Sequence, residues 1–215
     1  MIIKAELEIL DVFRRNLVRE LTFNEIMKFS GKGSRNWVFN VLKKFIGYDV
    51  LLRRKINNSY LYKANLNSSL LLAYFKTLDF SEVHINGNKG KNREIPYGLV
   101  LELLGRVKKI TPFFIMMIFG SYASGKNKAG SDLDVAFIVE DADAGKKIKP
   151  YIENVVRKGM PKVDYSIIGK DELKEMLLRE EENLGKEAYK NHLIIWGGDQ
   201  FYELVKEAEK NGFRG

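Results

Sequence analysis

In Phe119-Gly120-Ser121-Tyr122-Ala123-Ser124-Gly125-Lys126 a hydrophobic run enters a Gly-Ser turn, and Ser131-Asp132-Leu133-Asp134-Val135 then sets two carboxylates at i and i+2 as a second hydrophobic run begins. Glycine lets backbone N–H groups approach an anion closely, and a helix starting there adds positive potential, so the turn suits phosphate. The Ser121 hydroxyl can also donate to a phosphate oxygen. On a strand, Asp132 and Asp134 point to the same face, where they repel unless a cation neutralises them. Their hard oxygens suit Mg²⁺, which combines one or two carboxylates with water and substrate phosphates. Taken singly, the turn also reads as an ordinary loop and the pair as a solvated acidic edge. Together they point to a metal-bound nucleotide.

Outward from this stretch, strands are expected at 113–119, 133–139 and 162–168, with a helix over about 144–158 between the last two. Asp164 interrupts the third run, Lys162-Val163-Asp164-Tyr165-Ser166-Ile167-Ile168. It either completes a three-carboxylate set or faces outward on an edge strand. Pro96 can start a helix to about Ile110. Lys170 to about Lys190 reads as one helix, His192 to Trp196 as a short strand, and 199–210 as a final helix. Asn86 to Arg93 is a polar loop containing glycine.

Upstream, Leu7, Ile9, Leu10 and Phe13 recur at helical spacing. Thr22 or Asn24 can cap a short helix ending near Phe29, and Ser34 can cap a third. In that third helix Trp37, Val38, Val41, Leu42 and Phe45 would face inward. Val50 to Ile56 and Tyr60 to Ala64 read as strands joined at Asn57-Asn58-Ser59. Three helices and a hairpin are the order of a winged helix.

The 215 residues carry a net charge of +8, unevenly placed. Residues 1–65 hold thirteen Lys/Arg against six Asp/Glu, and residues 66–215 hold twenty-three against twenty-two. Nearly all the excess therefore sits in the first third, which suggests a basic module on a near-neutral body. There is no cysteine, so disulfides and thiolate metal sites are excluded, and two histidines make zinc a poor fit. The N-terminus reads as no signal peptide, and the apolar run Phe113 to Gly120 is too short to span a bilayer, so a cytoplasmic protein without a membrane partner is expected.

The pattern Gly120-Ser121-x10-Asp132-x-Asp134 with the later Asp164 resembles the polymerase-β-like nucleotidyltransferase superfamily, and within it the minimal nucleotidyltransferases. The resemblance covers about residues 96–170, and the stretch Ile194 to Tyr202 looks like the tail of related proteins. It implies a nucleotidyltransferase domain over 96–215 with a small mixed sheet packed against helices; with the first 65 residues resembling a winged helix-turn-helix domain and a linker helix and loop over 66–95, the expected fold is α+β. It also implies transfer of NMP from an NTP, with ATP the expected nucleotide, to a hydroxyl of an unidentified acceptor. Gly120, Ser121, Ser124 and Lys126 would bind the nucleotide phosphates. Asp132, Asp134 and Asp164 would hold two Mg²⁺ ions, and Asp164 would help activate the attacking hydroxyl. Many relatives carry a basic residue where this chain has Ser124; Lys126 or Lys128 can supply that charge instead.

If the basic module binds DNA, Arg35, Asn36, Asn40, Lys43 and Lys44 would meet the groove or phosphates, with Arg53, Arg54 and Lys55 on phosphate. Winged helices also serve as protein-interaction or dimerisation modules, so a homodimer is left open. Some minimal relatives are antitoxins that adenylylate a HEPN-type toxin, which implies a protein acceptor by analogy. The alternative is a DNA-binding, antitoxin-like regulator whose nucleotidyltransferase domain binds nucleotide without transferring it. A small-molecule modifier is a third reading, for which residues 170–215 are short. His84 and His192 receive no role.

Overall fold

The computed structural model describes residues 4–85 and 95–215, with the backbone alone at 84 and 85. The expected loop from Asn86 to Arg93 lies outside the described residues. The fold divides into two compact units, Met1–Leu78 with Glu209–Gly215, and Asp79–Ala208.

The first unit runs α1 (Lys4–Arg14), β1 (Leu21–Thr22), α2 (Phe23–Ser30), α3 (Arg35–Gly47), β2 (Leu51–Ile56) and β3 (Ser59–Ala64), and α4 (Ser69–Phe80) starts in it. Ile9, Leu10 and Phe13 of α1 are buried with Val38, Val41, Leu42 and Phe45 of α3, because each set repeats at helical spacing and shares one face. Trp37, expected inside, is only half-buried. The hairpin closes tightly at Ile56↔Ser59, helped by Asn57 at a φ of 49°, a left-handed conformation that asparagine tolerates. Strand β1 was not expected; it is two residues long and pairs with β3 at Leu21↔Tyr62, giving the order β1-β3-β2. A strand that short has no periodicity to detect.

Thr22 caps α2 in a reciprocal box. Its hydroxyl accepts the Glu25 N–H at 3.2 Å, and its own N–H donates to the Glu25 carboxylate at 2.8 Å. Thr22→Ala is expected to destabilise the unit by about 0.5–2 kcal/mol, read in urea denaturation. The Thr22 N–H, with its hydroxyl, holds the Glu25 carboxyl below its usual range. A lowered carboxyl stabilises above its unfolded pKa, so the box weakens as pH falls through the folded one.

The second unit opens on a π-helical turn at Ser81–Ile85 and continues α5 (Tyr97–Lys108), β4 (Phe114–Phe119), α6 (Gly120–Ser124), β5 (Leu133–Val139), α7 (Ala142–Val156), β6 (Val163–Gly169), α8 (Lys170–Leu178), α9 (Leu184–Lys190), β7 (His192–Trp196) and most of α10 (Gly198–Lys210). The sheet is small and mixed, in the order β6-β5-β4-β7. Strands β5 and β6 are parallel because α7 carries the chain back across the sheet; the other pairs are antiparallel. Every residue of β4 is buried, as its unbroken apolar run requires. Val100, Leu103 and Val107 of α5 and Ile148, Ile152 and Val155 of α7 cover the core around Met116, Ile118, Val135 and Phe137.

A second expectation is corrected. Residues 170–190 form two helices, not one. Glu180, Glu181 and Glu182 would crowd like charges at the negative end of α8, and they lie instead before the positive end of α9. The Asn183 side chain accepts the Lys186 N–H at 3.1 Å and donates to the Met176 carbonyl at 2.7 Å, capping one helix while holding the other. A Cβ on Gly185 would stand 2.7 Å from the Met176 Cβ, so glycine lets α9 fold back onto α8. Among the described residues, no helix is long and apolar enough to cross a membrane.

Candidate active site

Strand β4 delivers the chain to Gly120, where φ is +64°. A Cβ there would lie 2.3 Å from Asp134 Oδ2, so both the backbone conformation and the space demand glycine. The next amide, Ser121 N–H, donates to the Asp134 carboxylate. The turn and the carboxylate are therefore in direct contact. Ser124, at the end of the short α6, donates from its hydroxyl to the Ser121 carbonyl at 3.2 Å, and Lys126 N–H donates to the same carbonyl at 2.9 Å. The Lys126 and Lys128 side chains are exposed.

Asp134 on β5 is the register partner of Asp164 on β6. Neighbouring residues in a parallel pair present their side chains to the same face about 4.8 Å apart. Asp164 lies on an edge strand, and it also stands beside Asp134. Burial pushes the Asp134 carboxyl above its usual range, and the Asp164, Glu187 and Asp132 charges push the same way, against the Ser121 N–H. Asp132, one residue before β5, pairs with Lys162 Nζ at 2.9 Å, and this contact raises the lysine pKa. That pair is largely exposed and contributes little to stability.

Among the described residues, no group of three or more Asp, Glu or His side chains is drawn together closely enough to cage a metal. The donor set nevertheless fits a hard divalent cation. Mg²⁺ needs only one or two protein carboxylates beside water and phosphate oxygens, and a cation would relieve the crowding at Asp134.

Two members of this cluster were missed in the sequence. Glu187 sits in α9, inside a segment read as the middle of one long helix, and no motif marks it. Lys162 was quoted only as the start of a strand. His192 is buried in β7 opposite Phe119; its Nδ1–H donates to the Tyr189 carbonyl at 2.8 Å and its ring meets Phe201 edge-on at 4.8 Å. That placement anchors β7 and α10.

The geometry puts the Gly-Ser turn against a carboxylate cluster where β4 ends and β5 and β6 begin, and the family comparison falls on the same stretch. Residues 102–188 match the nucleotidyltransferase domain family. The matched segment begins in α5, ends in α9 and contains Gly120, Ser121, Asp132, Asp134, Asp164 and Glu187. No curated protein matches the chain. A solved structure described as "Crystal structure of the toxin-antitoxin with AMP-PNP" aligns at 17% identity and a TM-score of 0.35, over 54% of this chain and 86% of that chain.

In the first unit, the exposed side of α3 carries Arg35, Asn36, Asn40 and Lys43. Lys44 is turned to Glu6, with Nζ to Oε2 at 2.8 Å, and Arg54 pairs with Glu20. These two cations are engaged within the protein. Arg53 and Lys55 lie exposed on β2.

Proposed function

We propose that the second unit is a Mg²⁺-dependent nucleotidyltransferase that moves NMP from an NTP, with ATP first among candidates, to a hydroxyl of an acceptor. The observation that carries this reading is the register pairing of Asp134 with Asp164 beside the Gly120-Ser121 turn. Asp132, Asp134 and Asp164 would hold the cation, with Asp132 released from Lys162. Bound Mg²⁺ would neutralise phosphate charge and polarise the α-phosphate. The Ser121 hydroxyl would donate to a phosphate oxygen, and the exposed Lys126 and Lys128 are the nearest cations in sequence to supply the charge that Ser124 does not. Asp164, exposed at the sheet edge, would accept the proton of the attacking hydroxyl. The new O–P bond forms as the bond to pyrophosphate breaks. A protein hydroxyl on a HEPN-type toxin is the acceptor that the family resemblance suggests. The chain is assayed with α-labelled NTPs and candidate acceptors, with and without Mg²⁺; Mg²⁺-independent labelling, or none with any acceptor, counts against the reading.

Asp134 binds its proton more tightly in the folded chain than in the unfolded one. Such a group stabilises below its unfolded pKa and loses that contribution as pH rises through the folded one. Asp134→Asn is therefore expected to melt higher than wild type at neutral pH without divalent cation, with the gap closing in acid. Mg²⁺ is expected to raise the wild-type melting temperature and to leave the variant nearly unchanged. Differential scanning fluorimetry across pH and Mg²⁺ concentration reads both effects.

A second reading concerns the first unit, and its charge excess favours it. There the helices and hairpin act as a winged helix that binds nucleic acid, with or without an active partner unit. Duplex affinity that falls steeply with salt and drops on Arg53→Ala would support it; no binding at low salt would count against it. The proposed bounds are 1–65 for this module, 66–95 for a linker and 96–215 for the transferase body.

A further inference from the structure

The first unit holds a cavity of about 590 Å³ between the start of α2, the start of α3 and the hairpin. Its lining includes Phe23, Phe39, Tyr60, Arg35, Asn36 and Asn58, and no carboxylate. Phe39 and Tyr60 are 48% and 39% exposed, so both rings are open to a ligand. The Arg35 guanidinium lies over the Phe23 ring at 4.9 Å and donates to Asn24 Oδ1 at 3.3 Å. Arg53 lies over Tyr60 at 4.5 Å. The cavity wall thus carries aromatic rings, the Arg35 guanidinium and the amides of Asn36 and Asn58, with the Arg53 guanidinium stacked on one of its rings, Tyr60.

Stacked duplex bases offer only their edges to a protein, and the partners for those edges are hydrogen-bonding side chains. Ring faces and guanidinium planes match the π-face of a base that has left the stack. Charge fits as well. Among the described residues, Arg35 in the cavity wall and Arg53 on Tyr60 form no ion pair, while Lys44 and Arg54 do.

We infer that this cavity takes an unpaired base of a single-stranded nucleic acid, stacked between Phe39 and Tyr60, with Arg35 and Arg53 beside its phosphates. The inference rests on the nucleic-acid reading of the first unit and replaces duplex with single strand as its ligand. It is independent of the transferase reading.

The test is fluorescence anisotropy of the full chain with a short labelled DNA strand, an RNA strand of the same sequence, and the DNA duplex, at low salt. One of the single strands binds at least about tenfold tighter than the duplex. Phe39→Ala and Tyr60→Ala each weaken that binding about five- to hundredfold, the range for losing one base stack, with unchanged circular dichroism. Tyr60→Phe retains it, and the two single-strand arms report whether the sugar matters. Equal or tighter duplex binding that Phe39→Ala leaves intact overturns the base cavity while the nucleic-acid reading stands. Absence of binding to all three overturns both.

Discussion

Asp132→Ala with Asp134→Ala is expected to lower label transfer from NTP by at least about 10³-fold, with the fold retained. Asp134 is half-buried in the strand pairing, and it is the point where the charges of Asp164, Glu187 and Asp132 meet. Removing it takes away the carboxylate on which cation binding would turn. Removing Asp132 as well takes away the one that Lys162 now holds. The fold is expected to survive because the electrostatic cost of the Asp134 carboxylate outweighs the one hydrogen bond it accepts from the Ser121 N–H. Identical transfer by wild type and the double variant would sink the proposed chemistry. Equal circular dichroism and melting curves guard against a loss caused by unfolding.

Gly120→Ala is expected to cost about 1–3 kcal/mol of stability and nearly all nucleotide binding, measured by chemical denaturation and by titration with a non-hydrolysable NTP. The new Cβ would meet a left-handed φ of +64° and stand 2.3 Å from Asp134 Oδ2. Either the carboxylate rotates away or the turn shifts, and in both cases the Ser121 N–H loses its acceptor. Gly31 makes a useful control. It too has a positive φ, of +62°, but a Cβ there meets no atom within 4 Å. Gly31→Ala should therefore cost stability alone and leave nucleotide binding intact. Equal loss of nucleotide binding in the two variants would mean that general destabilisation, not lost contact between Gly120 and Asp134, abolishes binding.

The helix caps were legible because a cap is a local event. Thr22 and Ser34 each accept an N–H three residues on, which depends only on residue type and spacing. The apolar runs of β4 and β5 were legible for the same reason. The break between α8 and α9 was not, because it depends on how closely Gly185 approaches Met176, a contact created by the fold-back itself. Strand β1 was not legible either, since two residues pair only once β3 is in place.

The candidate site divides along the same line. Sequence by itself determined the Gly-Ser turn, the Asp-x-Asp spacing and the basic excess of the first third, all of which are properties of neighbours along the chain. Only the tertiary structure decided that Asp164 stands opposite Asp134, that Glu187 adds its charge there, that Lys162 holds Asp132, and that Lys44 and Arg54 are occupied by Glu6 and Glu20. Strand register and helix packing set those distances, and electrostatic effects fall with distance in space, not with separation in sequence.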